Sequence, residues 1–509
     1  MRSLPRVLAP LALTALTALT TLAACSDAAS SRPLVVAPRA QAAANDVDES
    51  TSRVVVDAGQ TLGPVMRIEQ ASTHSTSSPL PGEATRAYLQ GLDQDVVRTW
   101  IQVRYVYNKG NVDYNYKYAG SNVGAEDALR FYATTGKSIL IALSAYNPTS
   151  TWTLPSGDAF TEFLTQTLVY YKSRYPNIRY IQVGNEPDAG DETMATYYPI
   201  YQQYYRAVNA ANAQLGLDEA NRILISNGPF TSNVPNMLKY ADGFFAAYAA
   251  DADPAKKLDF FCFHSYGETN RPIELATARQ RIDDEMARHG LAPVPVFVDE
   301  YGMYGGSTSP ARMTMAQLVT MQPAGQLTKA FYLYEGGVAS VFNWAIFHAT
   351  LPSKSQLADV QSAIAYPYGN MLKLAHEVSI RETRIAAVSK FVDDSGLGTH
   401  VLASMHPGKG IAVLVWNFNW RQTPPEVPFD VLVKNIPHSI GAGARMHRTV
   451  YLIDSKHNNY YTDKSQATLV PTSEDDIDYA PNVVTTLPLE REAVALILLT
   501  HDTGKPAKE

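Results

Sequence analysis

Two glutamates, each ending an apolar run, offer the clearest chemistry in this sequence. Glu186 ends Tyr180-Ile-Gln-Val-Gly-Asn-Glu186 and is followed by Pro187, while Glu300 sits in Val294-Pro-Val-Phe-Val-Asp-Glu-Tyr-Gly302. Both runs read as buried β-strands that run out into a polar turn. A carboxylate at the C-terminal end of a parallel barrel strand is where that architecture places its reactive groups. Two of them facing one cavity are the minimum equipment for acid/base-assisted cleavage of a glycosidic bond. A chain with 49 acidic residues puts some at strand ends regardless, so the positioning elements and the neighbouring residues decide.

From about residue 51 the chain alternates short apolar runs with longer amphipathic stretches, the βαβ pattern of a parallel sheet. Strands are expected at Val65–Ala71, Asp95–Ile101, Ser138–Ser144, Tyr180–Gly184, Ile223–Asn227, Leu258–His264, Val294–Asp299 and Ala339–Ile346. Helical segments such as Phe160–Arg174 and Tyr197–Leu215 lie between them. Eight such strands suit an α/β fold of the (β/α)8 TIM-barrel type. A doubly wound open sheet would need a Gly-rich first turn, and none is present. Gly136-Lys137-Ser138 imitates the end of a phosphate loop, but Phe131 stands where its first glycine is required and a strand follows. In this count Glu186 ends the fourth strand and Glu300 the seventh, which face each other across a closed barrel.

Asn185-Glu186-Pro187 at strand four with a glutamate at strand seven resembles clan A of the glycoside hydrolases, which are retaining enzymes. That resemblance implies that Glu186 is the general acid/base and Glu300 the nucleophile. It implies that Arg98, on the second strand, keeps the nucleophile ionised, and that Tyr266 donates a hydrogen bond beside it. Asn185 would contact the sugar 2-hydroxyl, and Trp344, in Phe-Asn-Trp-Ala, would floor the sugar subsite by stacking. His264 and Tyr301 are further candidate sugar contacts. To act as an acid, Glu186 is expected to have a pKa raised relative to that of Glu300. No metal or other cofactor is implied.

After about residue 378 the pattern changes to short alternating runs, at Ile385–Val392, His400–Met405, Ile411–Asn417, Phe429–Val433, Thr449–Ile453 and Ala493–Leu499. This reads as an antiparallel β-sandwich over 379–509, following a catalytic barrel over 51–378 whose first ten residues, 51–60, can supply a sandwich strand. Tyr451-Leu-Ile-Asp-Ser-Lys-His-Asn-Asn459 resembles a stretch of glycoside hydrolase family 39. That family includes β-xylosidases, α-L-iduronidases and bacterial glycosidases acting on exopolysaccharide. Gly184 and Asp299-Glu-Tyr-Gly302 depart from its usual residues and leave the substrate open.

The 30 tyrosines suit a wet cleft holding sugar rings. Tyr105, Tyr107, Tyr114, Tyr116 and Tyr118 follow strand two, Tyr146 and Trp152 follow strand three, and Tyr304 follows strand seven. Stacking outside the central subsite would favour an extended glycan and endo action.

At the N-terminus, Arg2 and Arg6 precede an apolar stretch ending in Leu22-Ala-Ala-Cys25. Residues 1–24 resemble a bacterial lipoprotein signal, with Cys25 lipidated and 25–50 a flexible tether. Export follows, with Ser26 leaning toward the outer membrane and the lipid as the only membrane contact. Cys262 is then unpaired and, within an apolar strand, reads as a buried hydrophobe. A net charge of -7 argues against a nucleic-acid partner. The expected partner is a carbohydrate. A surface lipoprotein that binds glycan without cleaving it is the alternative, and a metal-dependent barrel hydrolase finds too few histidines in His74 and His264.

Overall fold

The computed structural model describes residues 54–501 apart from 75–78, 109, 118–121, 145–153, 190–192, 232, 304–312, 420–426 and 442–444. The expected signal, tether and lipidated Cys25 lie outside these residues, as do Tyr118, Tyr146, Trp152 and Tyr304.

Eight parallel strands form the expected barrel: Ala71–Thr73, Gln94–Gln102, Gly136–Ser144, Ile178–Val183, Leu224–Ser226, Phe261–Ser265, Val296–Tyr301 and Ser340–Trp344. The eighth pairs back onto the first. Strands five and six meet through a single bridge, Phe230 to Phe263, reinforced by Asn227 Oδ1 accepting from the Cys262 N–H at 2.9 Å. A helix follows every strand, and the crossovers bury both faces of the strands, which is why they read as continuous apolar runs.

The first strand begins later than the sequence suggests. Val65–Gln70 is apolar in part, but Arg67 pairs with Asp95 at 2.9 Å and Glu69 is fully buried. Satisfying those charges leaves an irregular lead-in, and pairing starts only at Ala71.

Alternation along the strands builds the barrel interior in layers. Ala71, Val96, Leu140, Phe260, Cys262, Phe297 and Phe342 form one apolar cluster, with Tyr180 and Leu224 packed against it. Two residues further along strand two comes Arg98, and two beyond that Trp100. The same step carries strand four from Tyr180 to Gln182 and strand eight from Phe342 to Trp344. The apolar layer thus supports a polar layer, and aromatics stand above it.

The second sheet has nine strands, in the order Ser473–Asp478, Arg445–Ile453, Val494–His501, Gly410–Phe418, Gly398–His406, Thr383–Ser389, Val54–Pro64, Val427–Lys434 and Val483–Leu489. Its two halves fold over one core, in which Val54, Val431 and Leu487 join Val413, Leu452 and Ile497. This is the expected sandwich, but mixed and not wholly antiparallel: Val54–Pro64 is inserted antiparallel to Thr383–Ser389 and parallel to Val427–Lys434, as a strand that arrives from before the barrel. Ser473–Asp478 and Val483–Leu489 are strands the sequence reading did not mark.

The outer face of the middle strands continues the barrel's own core, through Leu402, Leu414, Trp416 and Leu496. Trp416 Nε1 donates to Thr328 Oγ1 at 2.9 Å, on helix Met315–Glu335. Asn459 Nδ2 reaches Thr320 on the same helix at 3.1 Å, and Asn370 Nδ2 donates to the Asn458 carbonyl. The Tyr451–Asn459 stretch is therefore a joint between sandwich and barrel. No described helix is long and apolar enough to cross a membrane.

Candidate active site

Local geometry at the two strand ends aims both glutamates inward. Gly184 has φ +83° and Glu186 φ +50°, a left-handed conformation that is uncommon and strained for a residue with a side chain. The Glu186 N–H is fixed by the Pro229 carbonyl at 3.1 Å. On strand seven, Val298 pairs with Phe263 but the next partner pair is Glu300 with His264, leaving Asp299 as the extra residue of a β-bulge. Without it, consecutive side chains would face opposite sides. With it, Asp299 and Glu300 both reach Arg98.

Arg98 is completely buried and organises the centre. Its Nη1 donates to Glu300 Oε1 at 2.5 Å, Nη2 to Asn185 Oδ1 at 2.7 Å and Nε to Gln182 Oε1 at 2.9 Å, while Asp299 Oδ2 lies 3.0 Å from Nε. Gln182 Nε2 also donates to Asp299. Tyr266 completes the seat of Glu300, its hydroxyl donating to Oε2 at 2.9 Å. Both oxygens of Glu300 are therefore held, and its orientation is fixed before any ligand arrives. The Asn185 side chain is exposed at the rim, with its carbonyl oxygen anchored by Arg98.

His264 links the two carboxylates. Its Nδ1 lies 2.6 Å from Glu186 Oε1, and its Nε2 is 3.7 Å from Glu300 Oε1 and 3.8 Å from Asp299 Oδ1. Burial alone would favour the neutral imidazole, but the charges of Glu300 and Asp299 and the hydrogen bond to Glu186 outweigh it and raise the pKa to about 10. Burial favours the neutral form of Glu186 too, which for a carboxyl means a raised pKa. The hydrogen bond and charge of protonated His264, assisted by Arg98, reverse the direction and hold Glu186 below the ordinary carboxylate value. Glu186 is thus held below the ordinary carboxylate value by its histidine partner, where burial alone would have raised it.

The candidate sugar contacts divide. Trp344 is half-buried, edge-on to Trp100 at 5.7 Å, and Trp100 lies over the Arg98 guanidinium. The Trp344–Ala345 peptide is cis. Tyr301 is not at the mouth. After the bulge, alternation turns it outward, where it is fully buried and donates to Asn343 Oδ1 at 2.8 Å. It is a core residue.

The tyrosine-rich stretch is likewise occupied by the protein. Tyr114 stacks on Tyr170 at 3.7 Å, Tyr107 meets Phe163 edge-on, and Tyr116 is buried with its hydroxyl accepting from the Gln102 N–H. Tyr105 packs against Tyr116. These four rings build the wall behind strand two and offer no row of stacking platforms.

Asp299, Gln182, Trp100, Lys329 and Lys354 belong to the site and escaped the sequence reading. Lys329 is fully buried on helix Met315–Glu335. Its ammonium donates to the carbonyls of Ser265, Gly267 and Gly302 at 2.8–2.9 Å, clamping the turns that carry Tyr266 and Glu300. No signal in a single sequence marks a lysine whose partners come from two other segments, although its position on an apolar helix face was a clue.

One oxygen or nitrogen from each of Glu186, His264 and Glu300 lies within 4.8 Å of the others, so a metal site deserves a test. The donor set is a poor fit: Glu300 is held by Arg98, and His264 would have to surrender a firmly held proton. His74 stands apart, buried against Tyr132 at 4.4 Å and kept neutral by burial.

No protein-family model and no curated protein matches the sequence. Solved structures do match. A glucosidase from Croceicoccus marinus superposes with TM-score 0.65 at 14% identity, covering 90% of this chain and 100% of its own. A monomeric β-xylosidase from Caulobacter crescentus gives 0.58 at 16%, covering 88% and 99%. The GH39 enzyme from Xanthomonas axonopodis pv. citri gives 0.59 at 15%, covering 89% and 98%. The fold is that of these glycoside hydrolases. The TIM barrel with its sandwich, expected from the motifs, is shared along almost the whole described chain.

Proposed function

We propose that this protein is a retaining glycoside hydrolase acting on a poly- or oligosaccharide by double displacement. The observation that carries the reading is the disposition of its two carboxylates. An oxygen of Glu186 and an oxygen of Glu300 lie within 4.8 Å, at the ends of strands four and seven. Retaining enzymes keep the pair about 5 Å apart so that one carboxylate can attack directly, whereas inverting enzymes leave room for water, at about 6.5–9.5 Å. The fold shared with a glucosidase and a β-xylosidase supports the same reading.

In the first step Glu300 forms a bond to the anomeric carbon while the glycosidic carbon–oxygen bond breaks and Glu186 protonates the departing oxygen. The proton comes from the Glu186–His264 pair. While Glu300 is an anion, its charge helps hold the proton on His264. Forming the ester removes that charge, and the proton passes through Glu186 to the leaving group. Glu186 is then an ionised base beside a neutral His264. In the second step it takes a proton from water as the water oxygen attacks the anomeric carbon, and Glu300 is released. Asn185, anchored by Arg98, is positioned to meet the sugar 2-hydroxyl, and Trp344 to support the ring.

Proton NMR of the first-formed product tests the mechanism: the released anomer should keep the configuration of the substrate, and an initially inverted product would overturn it. Replacing Glu300 with Gln should reduce turnover by roughly 10⁴-fold. Endo action rests on Tyr118, Tyr146, Trp152 and Tyr304, since the other tyrosines have protein partners. Monosaccharide released from one chain end as the sole first product would sink it. We further propose that Cys25 carries the lipid of an exported lipoprotein. Palmitate labelling of the full chain in a bacterial host should be abolished by Cys25→Ala.

A further inference from the structure

We propose that Lys354 recognises a negatively charged oxygen substituent, a carboxylate or a sulfate, on the sugar unit bound beside Glu186 and Glu300. The proposal rests on the glycosidase reading and deepens it by naming a substrate class.

Lys354 ends a short 3-10 turn, Pro352–Lys354, in the loop after strand eight. That turn is tied to the site's floor: the Lys354 carbonyl accepts from the Ala345 N–H at 2.7 Å, and the Gln356 N–H donates to the Ala345 carbonyl at 2.9 Å. Ala345 follows Trp344 directly, so the lysine backbone and the stacking residue move as one. From this anchor the side chain reaches Tyr266, its Nζ lying 5.2 Å from the ring centre. Tyr266 is the residue that hydrogen-bonds Glu300. Burial lowers the Lys354 pKa, and the charges that oppose this are those of Glu300 and Glu186. Distance, anchoring and electrostatics thus place this ammonium at the mouth of the reacting centre.

Its lack of a partner is what points to a ligand. Among the described residues no carboxylate pairs with Lys354, and its ammonium makes no hydrogen bond. Two other sheltered lysines are provided for: Lys172 donates to the carbonyls of Pro176 and Ile178, and Lys329 to three carbonyls. Lys373, away from the site, meets only the Tyr88 ring among the described residues, at 5.4 Å. What sets Lys354 apart is that its unpaired ammonium faces the reacting carboxylates. Glu300 already has a cation of its own, Arg98, at 2.5 Å. A sugar filling the mouth would strip more water from an ammonium that has the Tyr266 ring and the nearby carboxylates but no hydrogen-bond acceptor, which is costly. A neutral hydroxyl can accept one hydrogen bond but leaves the charge uncompensated, whereas an anionic group satisfies both.

The test uses the mature protein carrying Glu300→Gln, so that glycans are held without turnover, and oligosaccharide pairs that differ only in charge. One pair is a uronate-containing oligosaccharide and its carboxyl-reduced form, the other a sulfated oligosaccharide and its desulfated form. Calorimetry should give about tenfold tighter binding for the charged member of one pair, the size of one charge-assisted hydrogen bond. Which pair responds distinguishes carboxylate from sulfate. Adding Lys354→Met should bring the ratio close to one, and Lys354→Arg should restore it. Equal or undetectable binding of the charged members, or a preference that Lys354→Met leaves intact, overturns the proposal. Assaying the protein with Glu300 present on the same sugars separates the two readings. Charge-selective binding with no cleavage would sink the glycosidase and leave Lys354's role standing, and cleavage without charge preference would do the reverse.

Discussion

In the proposed mechanism the proton for glycosidic cleavage comes from the Glu186–His264 pair, and this pair gives the site a recognisable pH signature. The folded pKa of His264, about 10, lies above its ordinary value of 6.5. The folded chain therefore binds this proton more tightly than the unfolded chain. Its contribution to stability is complete below about pH 6.5 and is lost as pH rises through about 10. Over that window unfolding free energy should fall with pH, and His264→Gln should flatten the slope. Among the described residues the variant also leaves Glu186 without a contacting cation, and Asp299 and Glu300 with Arg98 alone, so a loss of about 3–5 kcal/mol at neutral pH is expected. Denaturant unfolding at a series of pH values measures both. In activity, losing the histidine frees Glu186 to respond to burial, and the alkaline limb of kcat/KM should move to lower pH. An unmoved limb would show that His264 does not hold the proton.

Strand ends explain why the two glutamates were legible from sequence while their neighbours were not. Parallel barrel strands are buried on both faces, so Ile178–Val183 and Val296–Tyr301 stand out as apolar runs, and a charge ending such a run is conspicuous. Asp299 was hidden because simple alternation points it away from Glu300. Only the bulge turns both inward, and it turns Tyr301 outward in the same movement, which is why that tyrosine was misassigned. The strand Ser473–Asp478 was invisible for another reason: it is an acidic edge strand paired on one side, so nothing forces it to be apolar. Lys354 and Lys329 are set by contacts between distant segments, which have no local signature.

Of these, Lys329 yields a test of how the elements hold the nucleophile. It ties the turn after strand six to the turn after strand seven, so Lys329→Met should remove its hydrogen bonds to three carbonyls, of which that of Ser265 keeps only the Gly302 N–H, and loosen Tyr266 relative to Glu300. A loss of about tenfold in kcat is expected, with a smaller change in KM, because transition-state geometry depends on placement within fractions of an ångström. A rise in KM alone would mean that the clamp serves binding and not chemistry.

The order of strands in the second sheet makes the barrel and sandwich interdependent. Val54–Pro64, from before the barrel, is bonded on one side to Thr383–Ser389 and on the other to Val427–Lys434. Remove it, and two strands gain open edges while Val54 and Val56 leave the sandwich core. The sandwich's other apolar face belongs to the barrel, where Trp416 is fully buried and hydrogen-bonded to Thr328. A fragment spanning 379–509 alone therefore exposes both a broken sheet and an apolar face. It should lack a cooperative thermal transition, and fusing residues 51–64 ahead of it should restore sheet pairing in part without covering that face. In the whole chain, Trp416→Ala should cost about 3–5 kcal/mol and shift a single transition shared by both layers. Differential scanning calorimetry distinguishes the cases. Two separate transitions, or a cooperative melt of 379–509 by itself, would mean that the sandwich folds independently and the shared core is not what joins the molecule.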